Sequence, residues 1–233
     1  MTKKTIALWG DTQVGKTTLL AAALCSQYHG FDLLDLNASN AELGQTLAPI
    51  WRLLQKGMPT PPTSSAKIDI RLTCKGGTEV HFRDVRGAIA SGEDHNEKLK
   101  IIDGSDAIIF VLEWNGRNMA DQFNAVSTIV TMFDKRPKAL VFTKCEKTFE
   151  AVSEVWDAFP EWWRENPALA PHSQVISLFG TAVWPTSSWG YDNETWMPCA
   201  ILGEFGQLIP FRINPKGVEV PFYFIFRELG LIP

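Results

Sequence analysis

Apolar positions along this chain follow two periods that alternate. TIALW (5–9) is a short apolar run of strand length, and in 16–27 Leu19, Leu20, Ala23 and Leu24 share one helical face. Residues 30–62 show no strand period. Within them, Ser39-Asn-Ala-Glu42 has capping-box spacing ahead of a helix whose apolar face holds Leu43, Leu47, Ile50, Leu53 and Leu54. Gly57 and the prolines of 59–62 stop it. KIDIRLTC (67–74) and EVHFRD (79–84) alternate strictly around a Gly-Gly turn, the pattern of a β-hairpin. AIIFVLE (107–113) is apolar almost throughout, as a strand covered on both faces must be.

The pattern then repeats. A helix over 121–135 puts Phe123, Val126, Ile129, Val130 and Phe133 on one face, and KALVFTK (138–144) is a second buried strand. A helix over 146–159 ends at Pro160, and either QVISLF (174–179) or AVWPT (182–186) supplies the last strand. PFYFIFRELG (221–230) closes the chain as a helix with Gly230 past its end. Alternating strands and helices with one hairpin predict an α/β fold: a doubly wound, mostly parallel sheet with helices on both faces. No repeat or low-complexity linker interrupts it, so a single domain over 1–233 is expected.

Composition narrows the function. The chain has 233 residues, 45% hydrophobic and 21% charged, with a net charge of −4. An acidic balance without clustered Lys or Arg excludes nucleic-acid coating and polybasic membrane binding. No apolar run nears the ~18 residues that cross a bilayer. MTKKTIALWG lacks a signal-peptide pattern, and the four cysteines (Cys25, Cys74, Cys145, Cys199) have no metal-ligand spacing. A reduced, cytoplasmic protein is expected. Nine tryptophans are many for this length, and PEWWREN (160–166) is the best contact candidate among their surroundings.

The strongest chemical signal is Gly10-Asp-Thr-Gln-Val-Gly15-Lys16-Thr17, a complete GxxxxGK(S/T) loop between a predicted strand and a predicted helix. Successive backbone N–H groups from Asp11, Thr12, Gln13, Val14 and Gly15 to Thr18 cradle phosphate at the helix N-terminus. Lys16 reaches the outer phosphates and the Thr17 hydroxyl ligates Mg²⁺. Further on, Asp84 ends a hairpin strand with Gly87 three residues later. A carboxylate there holds Mg²⁺ through water, and the Gly87 N–H senses a γ-phosphate. VFTKCE (141–146) and PTSSWG (185–190) follow the later strands.

In this order the four motifs resemble those of the Ras-like small GTPases of the TRAFAC class of P-loop NTPases. The likeness spans 5–190, and the insertion and tail look closest to bacterial double-GTPase domains. The resemblance implies that Thr143, Lys144 and Glu146 read guanine, with Lys144 along the ring and Glu146 accepting from N1–H and the 2-amino group. It implies that the loop at Ser188 and Trp189 offers a backbone N–H to guanine O6. Thr63 best matches the switch I threonine that completes the Mg²⁺ shell, with Thr60 its rival. Residues 30–62 become a helical insertion before switch I, and 191–233 an irregular excursion with the C-terminal helix. The implied function is a Mg²⁺-dependent GTP/GDP switch that works through a protein effector or activator, with no nucleic acid and no stable membrane insertion.

Three departures bear on activity. Ala88 stands where a water-orienting Gln follows the DxxG glycine, so unaided hydrolysis is expected to be slow. Arg86 is the better placed of two arginines (with Arg83) to act as an arginine finger in cis, and Gln13 and His95 are the nearest polar replacements for the missing Gln. Glu146 is one methylene longer than the usual Asp, which keeps an ATPase as an alternative. Thr12 and Gln13 occupy positions where small glycines often sit and crowd the γ-phosphate. A catalytically dead pseudo-GTPase module is the other alternative, and Ala88 is its support.

Overall fold

In a computed structural model, the described residues are 2–11, 13–25, 34–35, 47–56, 58, 69–74, 77–86, 99–114, 116, 118–133, 135–145, 167, 169–192, 194–195, 199–202, 208–210 and 213–233. Strands β1 (Lys3–Gly10), β2 (Leu34–Asp35), β3 (Asp69–Cys74), β4 (Glu79–Arg86), β5 (Ala107–Glu113), β6 (Lys138–Thr143) and β7 (Val183–Pro185) form one sheet in the order β2-β3-β4-β1-β5-β6-β7. All neighbours are parallel except β2/β3 and β3/β4. Helices among the described residues include α1 (Lys16–Cys25), α2 (Ala48–Gln55), α3 (Met119–Met132), α4 (Ser173–Ser177) and α5 (Val220–Glu228), and residues 99–103 are helical as well. A separate antiparallel pair, β8 (Ala200–Leu202) and β9 (Leu208–Pro210), precedes α5. The α/β, mostly parallel, doubly wound sheet with one internal hairpin is the fold the sequence pattern predicts.

Period-two alternation explains the two-sided core. On β1, Ile6 and Leu8 enter one apolar cluster with Leu19, Leu20 and the α5 side chains Phe222, Ile225 and Phe226. Ala7 and Trp9 enter the opposite cluster, with Phe123 and Val126 of α3. On β5, Ile109 and Val111 face the first cluster, while Ile108, Phe110 and Leu112 face the second. Every side chain from Ala107 to Leu112 is buried, which is why this segment reads as an unbroken apolar run. Phe82 of β4 meets Phe222 and Phe226 edge-on or tilted at 5.7 and 6.2 Å and so docks α5 on the sheet.

Several expectations shift. Residues 30–62 do contain strand, since Leu34–Asp35 pairs antiparallel with Thr73 and Cys74 at the sheet edge. Of the two candidates for the last strand, AVWPT forms it, as Val183–Pro185, and QVISLF is helical over Ser173–Ser177 before turning. The described α2 starts at Ala48 with Pro49 in its first turn, and the capping box at 39–42 lies outside the described residues, as does the helix expected over 146–159. The excursion expected over 191–233 contains the β8/β9 pair as well as α5. Among the described residues no helix is long and apolar enough to cross a membrane.

Candidate nucleotide site

The parallel strands end together, and their C-terminal edge collects the motif residues. The register pairs Gly10 of β1 with Arg86 of β4, Glu113 of β5 with Thr143 of β6, and Phe142 with Pro185 of β7. Later strands are laid outward on both sides of β1, so the P-loop emerges at the switch point of the sheet, where open α/β folds bind ligands.

The phosphate loop has the backbone that its glycines permit. A Cβ on Gly10 would lie 2.2 Å from the Val111 carbonyl oxygen, so only glycine lets the loop cross β5. Gln13 and Gly15 both adopt left-handed φ, at 67° and 97°. Gln13 is exposed, Val14 is buried, and Thr17 and Thr18 are half-buried in the first turn of α1. Lys16 folds back under the loop: its Nζ donates to the carbonyls of Gly10 (2.6 Å) and Asp11 (3.0 Å). The same Nζ lies 3.3 Å from Asp84 Oδ1, and the two side chains are only 6% and 8% exposed. The glycine-rich loop, its lysine and the DxxG aspartate thus form one buried ionic group.

The motifs expected to read the base are joined to the same loop. Thr143 Oγ1 hydrogen-bonds the Val14 carbonyl and lies 3.1 Å from that of Leu112, tying the end of β6 to the P-loop. Lys144 adopts φ 58° and its Nζ donates to Glu113 Oε2 at 2.8 Å. Glu113 joins the candidate site although no motif contains it; a charged group ending an all-apolar strand at the edge that carries the motif residues is the signal that marks it. The Thr186 N–H donates to the Phe142 carbonyl at 2.7 Å and the Cys145 N–H to the Thr186 carbonyl at 3.4 Å, so the loops after β6 and β7 lie side by side. Ser188 and Trp189, each 8% exposed, belong to the second of these loops.

The structure therefore brings together Asp11, Gln13, Val14, Gly15, Lys16, Thr17, Thr18, Asp84, Thr143, Lys144, Ser188 and Trp189 along one edge. Arg86 ends β4 at that edge in its backbone position. Thr12, Thr60, Thr63, Gly87, Ala88, His95 and Glu146 lie outside the described residues. Thr17 and Asp84 suit a hard divalent cation, being a hydroxyl and a carboxylate beside the phosphate loop.

Strand, GxxxxGKT loop, helix and apposed aspartate define a P-loop nucleotide-binding fold. No protein-family model matches the chain, and a search of curated proteins finds no match. Among solved structures, the chain is similar to a tyrosine-to-alanine variant of Aquifex aeolicus Era bound to GDP·AlF4⁻, with a TM-score of 0.44 and 15% identity over 80% of this chain. The chain spans about half the length of that protein, 52% of it.

Proposed function

We propose that this protein is a Mg²⁺-dependent guanine-nucleotide switch that hydrolyses GTP slowly and acts through protein contacts. The observation that carries the proposal is the continuity of the site: Thr143 bonds the phosphate loop, and the loop after β6 bonds the loop after β7. A phosphate cradle and a two-loop base pocket are thereby one construction. Lys16, released from two loop carbonyls, stabilises charge on the β- and γ-phosphates. Thr17 and Thr63 are proposed to hold Mg²⁺ directly and Asp84 to hold it through water; bound there, the ion would neutralise phosphate charge. Gly87 is proposed as the γ-phosphate sensor and Arg86 as the transition-state cation. Glu146 is proposed to accept from the guanine edge, and Lys144, anchored by Glu113, to flank the ring.

Ala88 favours one second reading, a pseudo-GTPase interaction module that binds nucleotide and has lost turnover. Two experiments test these readings. Equilibrium binding of GTP, GDP and ATP with Mg²⁺ to wild type and Glu146→Ala is expected to give tight guanine binding that ATP does not displace and that the variant weakens. Equal or better ATP binding would replace the guanine assignment with an ATPase. Multiple-turnover phosphate release, abolished in Lys16→Ala, separates the switch from the pseudo-enzyme.

A further inference from the structure

The loop after β7 is closed by a hydrogen bond from the Gly190 N–H to Ser187 Oγ at 2.7 Å and is shaped by two distant parts of the chain. On one side it is zipped to the segment before α5: Ser187 and Lys216 exchange backbone hydrogen bonds at 3.0 and 2.9 Å, and the Asn214 N–H donates to the Trp189 carbonyl at 2.8 Å. The approach is so close that a Cβ on Gly190 (φ 82°) would sit 1.3 Å from the Asn214 carbonyl oxygen. On the other side the Trp189 ring is buried against Leu54 of α2 and Ala200 of β8, with Ile50, Trp51 and Ile213 packed around them. A large aromatic locked by two χ angles between a helix and a strand fixes the backbone that carries it.

We infer that Trp189 is the positioning residue for recognition of the base's 6-oxo group, and that α2 sets that recognition by packing on it. The inference rests on the guanine reading above and adds to it a determinant whose buried ring acts through the backbone that carries it. With one side of the 187–190 loop bonded to the segment before α5, the ring sets the other side and with it the angle at which a backbone N–H meets the base. The bonds that hold Lys16 run to Gly10, Asp11 and Asp84, whereas the ring's cluster is Leu54, Trp189 and Ala200, so truncating the ring removes none of those bonds directly. The predicted lesion is therefore confined to one edge of the base.

The test uses three diphosphates on the full chain: GDP, 6-thio-GDP (which alters only the 6-position) and inosine diphosphate (which lacks the 2-amino group read by Glu146). Wild type is expected to prefer GDP over 6-thio-GDP by about tenfold, the worth of one hydrogen bond. In Trp189→Ala and in Leu54→Ala that preference falls to within about twofold while the preference over inosine diphosphate stays at its wild-type value. Trp189→Phe, which refills most of the site, restores discrimination at the 6-position. Loss of both preferences in proportion, or retention of the 6-position preference in both alanine variants, overturns the inference. Wild type that prefers GDP over inosine diphosphate but not over 6-thio-GDP also overturns it, and leaves the guanine reading standing. Wild type with neither preference removes both.

Discussion

Replacing Gly190 by alanine perturbs a single point where two chain segments touch through bare backbone. The new methyl would meet the Asn214 carbonyl oxygen at 1.3 Å and its carbon at 2.1 Å, neither of which is the end of a flexible side chain. The segments must separate, and the bonds at risk are Asn214 N–H to the Trp189 carbonyl (2.8 Å) and Asn214 Nδ2 to the Tyr191 carbonyl (2.5 Å). Holding alanine at left-handed φ costs about 1 kcal/mol, and losing two hydrogen bonds costs about 1 kcal/mol each. Lifting Ile213 off Trp189 adds about 1 kcal/mol of lost burial.

The sum is about 4 kcal/mol, a large part of a typical domain's stability. At about 2–4 °C per kcal/mol for a chain of this size, Tm should fall by about 8–16 °C. Gly180 is the internal control: its φ is 59°, yet a Cβ there meets nothing within 4 Å. Gly180→Ala should cost only the backbone term, about 2–4 °C. Thermal unfolding of both variants, followed by circular dichroism without nucleotide, measures the contrast. Equal shifts would refute the steric reasoning and leave only the shared φ effect.

Three other outcomes follow from the same structure. The Lys16–Asp84 pair is nearly sealed from water, so a cycle of Lys16→Met, Asp84→Asn and the double variant should return a coupling of about 2 kcal/mol in chemical unfolding; a value near zero would mean the two groups do not share charge. Burial lowers the His172 pKa below its ordinary 6.5, with the ring stacked on Phe123 at 4.2 Å, so the unfolded chain binds protons first as pH falls. Stability is then lost on acidification from about pH 6.5 downward. His172→Phe should flatten that part of the urea-midpoint profile, and an unchanged slope would exclude His172 as its source. Burial also pushes the Cys25 thiol up to about 11. Its alkylation by iodoacetamide at about pH 8 should run roughly a hundredfold slower than that of a small free thiol, read by mass spectrometry of the labelled peptide.

The parts of the fold legible in sequence were those where neighbours in the chain are also the cause of the structure. The hairpin β3/β4 follows from alternation on either side of a turn, and Gly77 takes φ 75° there. The phosphate loop is legible because its motif is contiguous in the chain and Gly15 answers a local demand, a φ of 97°. Strand β2 was not legible: two residues, Leu34 and Asp35, carry no periodicity and become strand only because Thr73 and Cys74 present an edge. Glu113 was missed because its partner Lys144 comes 31 residues later and no motif spacing links them. The cover of Trp189 was equally hidden, since it joins α2, β8 and the segment at Ile213, none of which adjoins it in sequence.

A phosphate loop by itself selects no base; it binds the part that all nucleotides share. Selectivity needs a second structure held at a fixed distance from the first, and in the proposed reading the hydrogen bond from Thr143 to the Val14 carbonyl ties the two together. That bond reaches the P-loop one residue before Gly15, so a shift of the loop after β6 would be felt in the P-loop. The chain continues the linkage outward, from Cys145 to Thr186 and from Ser187 and Trp189 to Lys216 and Asn214. Each bond is modest, about 1 kcal/mol, but they run in series across three loops. Thr143→Val, which keeps the shape and deletes the donor, should therefore weaken nucleotide binding without erasing base preference, whereas truncating Trp189 should erase the 6-position preference alone without touching phosphate. Isothermal titration with GDP and with pyrophosphate separates the two: Thr143→Val lowers both affinities by about tenfold, and a loss confined to GDP would show that the bond serves the base loop alone.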